Sequence, residues 1–148
     1  MRHNILYIIH VLKHKLLLLY YINNYCVKLY WRALKHDNSK LVNPERECFS
    51  KRFHTLKDMP YDSIEYENMK GNINELVLHY FQNKHHPEHY ILGTKGMDLT
   101  DIIEMYFDWL AASRNNKDGN MSDSLKANRI RFNLSDELFC IFMNTYSK

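Results

Sequence analysis

Apolar side chains recur at intervals of three and four residues through most of the chain. Leu6, Ile9, Leu12 and Leu16 form one such stripe and predict a helix over about residues 4 to 22, with His3, His10 and His14 on a second face. Val27, Tyr30, Trp31 and Leu34 predict a second helix over about 24 to 37, ended by the polar Asn38-Ser39-Lys40. Asn43-Pro44-Glu45 then combines a capping side chain, a proline suited to the first helical position and an acid for the first turn, which together open a third helix. Residues 56 to 71 carry Asp58, Pro60, Asp62 and Gly71 among charges and read as a connector with a short helix. Leu76, Val77, Tyr80 and Phe81 are the apolar set of a helix from Ile73 to about His85, stopped by Pro87. A turn at 93 to 96 precedes Asp98-Leu99-Thr100-Asp101, which caps a helix running to about Ser113. Residues 114 to 124 read as a loop, and Ser135-Asp136-Glu137 opens a last helix, about 135 to 146, containing Leu138, Phe139, Ile141 and Phe142.

The expected fold is therefore all-α, a single compact helical domain over 1 to 148 with about six helices. Composition agrees: four glycines and three prolines supply few hairpin turns, and 45% apolar residues suffice for a core. The net charge of +3 comes from 20 basic residues interspersed with 17 acidic ones, so there is no basic arm, and nucleic acid is an allowed partner without being indicated. Cys26, Cys48 and Cys140 form no Cys-x-x-Cys pair and read as reduced thiols in the cytoplasm, the host's cytoplasm if the source is viral. The apolar segment Ile5 to Trp31 has Leu16 to Ile22 as its longest unbroken run, with Lys13, His14 and Lys15 just before it, short of the roughly 20 residues a span requires. The expectation is a buried amphipathic helix, with no membrane partner and no secretory signal.

Histidines and aspartates suited to metal binding occur on different predicted helices: His14, His36-Asp37, His79, His85-His86 and Asp108. Dispersal of this kind matters because helical domains build metal sites by projecting ligands inward from facing helices. His79 and His86 are seven apart and share a face if their helix continues that far, and Glu104 shares one with Asp108 four residues on. Singly, each of these residues reads as ordinary surface or core. Their order is what carries the chemistry.

That order, a single His, an adjacent His-Asp pair, further His residues and a closing Asp, resembles the HD-domain superfamily of metal-dependent phosphohydrolases, an all-helical fold. A closer resemblance is to a family of short, functionally uncharacterised phage and bacterial proteins. It is carried by His14-Lys15, by Arg32-Ala33-Leu34-Lys35-His36-Asp37-Asn38-Ser39-Lys40, by His79 with Asn83-Lys84-His85-His86-Pro87-Glu88-His89-Tyr90, and by Glu104-Met105-Tyr106-Phe107-Asp108-Trp109. These segments span about residues 13 to 113. Leu41 departs from the aromatic usual after the lysine, and 114 to 148 match no motif of that family.

The resemblance implies a divalent metal cofactor, one or two ions of Mn, Fe, Co, Ni or Mg. His36, Asp37, Asp108 and either His14 or His10, with His14 preferred, would hold one ion; His79 with His85 or His86 would hold a second, and Asp37 would bridge. The implied activity is hydrolysis of a nucleotide or another small phosphoester by metal-activated water, with Lys40 countering charge in the transition state. Glu104 would orient a ligand histidine. Arg32 would contact substrate phosphate or form a surface salt bridge. The competing readings are a metal- or nucleotide-binding protein without turnover and a helical interaction protein without metal.

Overall fold

The computed structural model describes residues 2 to 57, 74 to 115 and 119 to 147, and every element among them is helical or a turn. Six α-helices are present among these residues: α1 Arg2–Lys35, α2 Glu45–Lys57, α3 Asn74–Gln82, α4 Leu99–Asn115, α5 Met121–Arg131 and α6 Asp136–Tyr146. Short 3-10 turns cover Asn38–Leu41, Pro87–His89 and Gly93–Gly96. The fold is all-α, as the periodicity predicts. The expected short helix of the connector lies almost wholly outside the described residues.

The chain divides into two compact units, Met1–His36 and Asp37–Lys148. The first is α1 alone. Two helices were expected here with a break near residue 23, but Asn23 and Asn24 cost a helix only about 0.7 kcal/mol each relative to alanine, and no glycine or proline interrupts the run. The expectation of burial also fails: Leu16 is 67% exposed and Tyr20 60% exposed, and apolar side chains stand open along most of α1. Within His3–Leu41 an 18-residue window reaches a mean hydropathy of 1.5, so by length and composition this helix is able to cross a membrane; the core helix of a soluble protein meets the same criterion.

In the second unit the apolar core lies between α4, α5 and α6. Met105, Tyr106 and Trp109 of α4 meet Met121 and Leu125 of α5, Leu134, and Phe142 of α6. Trp109 stacks on Phe132 with ring planes 5° apart and takes Phe142 edge-on. Helix α4 starts where the sequence says it should. Asp101 N–H donates to Asp98 Oδ1 at 2.9 Å, and Asp98 N–H donates to Asp101 Oδ2 at 3.1 Å, a reciprocal cap that satisfies donors left open by the first helical turn. Tyr90 O–H donates to the same Asp101 oxygen at 2.6 Å and ties the preceding turn to the cap.

Helix α5 was not expected, since its start falls in the predicted loop. Its inward face is Met121, Ser124, Leu125 and Asn128, spaced as a helix requires but half polar, so no hydrophobic period betrays it. Asn120 caps it by accepting the Ser122 N–H at 2.8 Å. Helix α6 starts at the predicted Ser135, whose Oγ accepts the Leu138 N–H at 3.3 Å. Helices α2 and α3 pack on each other and on the Asn38–Leu41 turn, and this smaller cluster carries most of the candidate chemistry.

Candidate metal centre

Side chains from the Asn38–Leu41 turn, from α3 and from the loop after α3 converge on one carboxylate. Asp37 precedes the Asn38–Leu41 turn with φ 54° and ψ 20°, in the left-handed region that Asp tolerates better than most side chains. Lys40 follows one turn on, and its Nζ meets Asp37 Oδ2 at 2.6 Å while lying 5.3 Å above the Phe49 ring. The other oxygen of Asp37, Oδ1, faces imidazole nitrogens: His79 Nε2 at 3.4 Å and His85 Nε2 at 3.6 Å. His86 joins them, its Nε2 standing 2.9 Å from that of His79. Asp37, His79, His85 and His86 each offer one ligand atom within 4.8 Å of all the others.

His79 reaches the cluster from α3 and His86 from the loop after it. The expected helix to about His85 ends at Gln82, well before Pro87, so the two residues do not meet by sharing a helical face. Asn83 ends α3 instead. Its backbone N–H still reaches His79 O, but its side-chain amide donates to the same carbonyl at 2.8 Å and to Ser39 Oγ at 3.0 Å. The chain then turns so that the rings of His85 and His86 come back to that of His79, with centroids 6.3 and 4.8 Å away. The apolar set expected for α3 is also rotated: Val77 is 69% and Phe81 75% exposed, while among the described side chains of the helix the buried one is His79, 1% exposed.

Behind each buried histidine stands a carboxylate. Glu45 Oε2 lies 2.9 Å from His79 Nδ1, and Glu104 Oε1 lies 3.5 Å from His85 Nδ1. Both rings thus present Nδ1 to a carboxylate and Nε2 to Asp37. A nitrogen whose ring partner is tied to a carboxylate has a fixed tautomer and a directed lone pair, which is how protein metal ligands are oriented. Burial, and next to it the Lys40 charge, holds the His79 pKa below the ordinary histidine value of 6.5, against the opposing pull of Asp37 and Glu45. The ring is therefore neutral at pH 7 and able to donate a lone pair.

The donor spacing suits an ion. Ligand atoms about 2.1 Å from a common centre lie roughly 3.0 Å apart at right angles and 3.4 Å apart in a tetrahedron, by the metal–nitrogen distances typical of proteins. The observed separations of 2.9, 3.4 and 3.6 Å fall around those edges. Three imidazoles and a carboxylate, with no thiolate among them, form a donor set that could hold a divalent ion.

The remaining sequence candidates are placed as follows. Asp108, half-buried one turn after Glu104 on α4, has a carboxylate oxygen within 4.8 Å of a ring nitrogen of His85. His14 and His10 lie on exposed surface of α1, and Arg32 and His36 are half-buried near the end of the first unit. Asp101, in the predicted capping segment, is 2% exposed and serves the α4 cap. Glu45 was missed altogether as a site residue. It looks like a first-turn acid at a helix start, and nothing local shows that its side chain turns inward toward a histidine 34 positions later.

The chain belongs to a family of unknown function (DUF5662), whose model matches residues 4–148. This agrees with the expected membership of an uncharacterised family and extends it through the stretch after residue 113, for which the sequence motifs gave no counterpart. No curated protein and no solved structure matches the chain.

Proposed function

We propose that this chain is a divalent-metal-dependent phosphohydrolase acting on a nucleotide or another small phosphoester. The observation that carries the reading is the arrangement about Asp37: one oxygen faces two buried imidazole nitrogens, each backed by a carboxylate, and the other holds the Lys40 ammonium. Asp37, His79, His85 and His86 would hold the ion, and Asp108 beside His85 extends the donor set toward a second. A bound divalent ion supplies a lowered water pKa and positive charge against phosphoryl oxygens.

The chain's own groups contribute the rest. Lys40 sits with its ammonium at the edge of the cluster, 38% exposed, where an arriving phosphate can take up part of the charge that Asp37 now neutralises. Asp37 orients the site by dividing its two oxygens between the histidine side and the lysine side. The order of the His-Asp pair, the later histidines and the closing Asp108 resembles the HD-domain phosphohydrolases, and Lys40 favours a phosphate substrate over simple metal storage.

The test is turnover. Purified protein is assayed against nucleoside mono-, di- and triphosphates, cyclic nucleotides and simple phosphodiesters with Mn, Co, Ni or Mg. Metal-dependent phosphate release that disappears in Asp37→Ala supports the proposal. Stoichiometric metal and nucleotide binding without turnover would replace it with a sensor or sequestering role.

A further inference from the structure

Glu45 is 1% exposed, yet it is a carboxylate. Such a group is costly to bury unless it is paired and hydrogen-bonded. Among the described residues its partners are two: Ser39 Oγ–H donates to Oε2 at 2.8 Å, and the Nδ1 of His79 stands 2.9 Å from the same oxygen. Its other oxygen, Oε1, is buried with no hydrogen-bond partner. An apolar side chain would fill this place at lower cost, so the carboxylate needs a reason beyond packing.

The surrounding hydrogen bonds supply that reason. Asn83 spends its side-chain amide hydrogens on Ser39 Oγ and on the His79 carbonyl, so neither is directed to the imidazole although the amide nitrogen lies 3.0 Å from Nδ1. Ser39 accepts from Asn83 and gives its own hydrogen to Glu45. Ser39 Oγ lies 3.3 Å from the same Nδ1, but the Glu45 carboxylate is nearer at 2.9 Å and charged, and is the stronger acceptor for the Nδ1 hydrogen of His79. With the proton held at Nδ1, the lone pair of the ring is at Nε2, directed at Asp37 and His86.

We infer that Glu45 is a positioning residue: with Ser39 and Asn83 it locks His79 in its Nδ1-protonated tautomer and thereby presents Nε2 as a metal ligand. The inference rests on the metal-centre reading for its purpose, but the tautomer itself is a property of the metal-free chain and is measured separately. Ser39 and Asn83 lie inside two of the sequence segments that carry the family resemblance, so the lock draws on the same stretches as the proposed ligands.

Two readouts on the full chain test it. Long-range proton–nitrogen correlation spectra of metal-free, nitrogen-15-histidine-labelled protein, with His79 assigned through His79→Gln, should show His79 protonated at Nδ1 and bare at Nε2. In Glu45→Ala the two tautomers should mix, and Glu45→Asp, which keeps the acceptor, should restore the wild-type pattern at least in part. A wild-type ring protonated at Nε2, or a pattern untouched by Glu45→Ala, overturns the inference. The second readout is cobalt(II) affinity, measured by competition with a chelator and by visible absorption of the ion. Glu45→Ala should weaken binding about 10- to 100-fold and alter the cobalt spectrum, with the helical circular dichroism unchanged. Wild-type affinity and spectrum in that variant would count against the inference alone, whereas a wild-type chain that binds no cobalt would overturn the metal-centre reading while the tautomer result still decides the role of Glu45. Should Glu45→Ala fail to fold, Glu45→Gln, which keeps the shape and an acceptor oxygen but removes the charge, should retain the tautomer and lose about tenfold in affinity; loss of neither would again contradict the role.

Discussion

His79 Nε2 stands 3.4 Å from Asp37 Oδ1 while His79 Nδ1 stands 2.9 Å from Glu45 Oε2, so one imidazole spans two carboxylates. In the absence of an ion such a ring can donate to only one of them when neutral. It donates to Glu45, which leaves Nε2 and Oδ1 as two electron-rich atoms facing each other. A divalent ion held by these residues would replace that repulsion with attraction.

Asp37→Asn tests the repulsion directly. The amide keeps the volume but removes the charge, so divalent-metal affinity should fall by more than about 100-fold, beyond what loss of a ligand's supporting partner costs. Isothermal titration with Mn, Co or Ni against wild type measures it. Stability of the metal-free chain should change little, or rise.

Lys40→Met should separate binding from turnover. The substitution removes the ammonium from Asp37 but no metal ligand, so metal content should hold. The kcat for phosphoester hydrolysis should fall about 10²- to 10³-fold, the usual loss on deleting one stabilising charge or donor in a transition state. Steady-state kinetics beside elemental analysis of the same sample decides it.

Asp101→Ala probes the cap. It removes the acceptor of both the Asp98 N–H and the Tyr90 hydroxyl, and unfolding by urea should show a loss of about 1 to 3 kcal/mol, a cap plus a side-chain hydrogen bond. The site's ligands are untouched, so metal affinity at native conditions should be unchanged.

Leu125→Ala probes the core. The side chain is fully buried between α4 and α6, and the cavity left behind should cost about 2 to 5 kcal/mol in the same unfolding measurement.

Much of this was legible in the sequence, and the failures have physical causes. The helix opened by Asp98 is carried by a cap and an apolar period that agree, and both appear in the structure. The start of α6 at Ser135 is equally local. Helix α5 was illegible because Ser124 and Asn128 occupy its buried face, so the burial pattern and the hydrophobic pattern part company. The break expected in α1 near residue 23 is absent, because Asn23 and Asn24 weaken a helix without ending it. In the candidate site, residue types and order pointed to His79, His85, His86 and Asp37, because ligand chemistry is visible residue by residue. Which atoms meet was not: His79 finds His86 through the turn that Asn83 makes, and Glu45 finds His79 through the packing of α2 on α3. The seven-residue spacing of the histidines matched a helical period, but the helix stops at Gln82 and the turn brings them together; the Glu45 contact has no periodic trace.

The most direct measurement of the central claim is the metal content of the purified protein. Elemental analysis should find at least one divalent transition-metal ion per chain, or one taken up stoichiometrically on titration with Mn, Co or Ni, and that ion should be lost in Asp37→Ala and His79→Ala variants that keep their helical circular dichroism. A folded wild-type chain that neither carries nor takes up such an ion, or folded variants that retain it, would contradict the account.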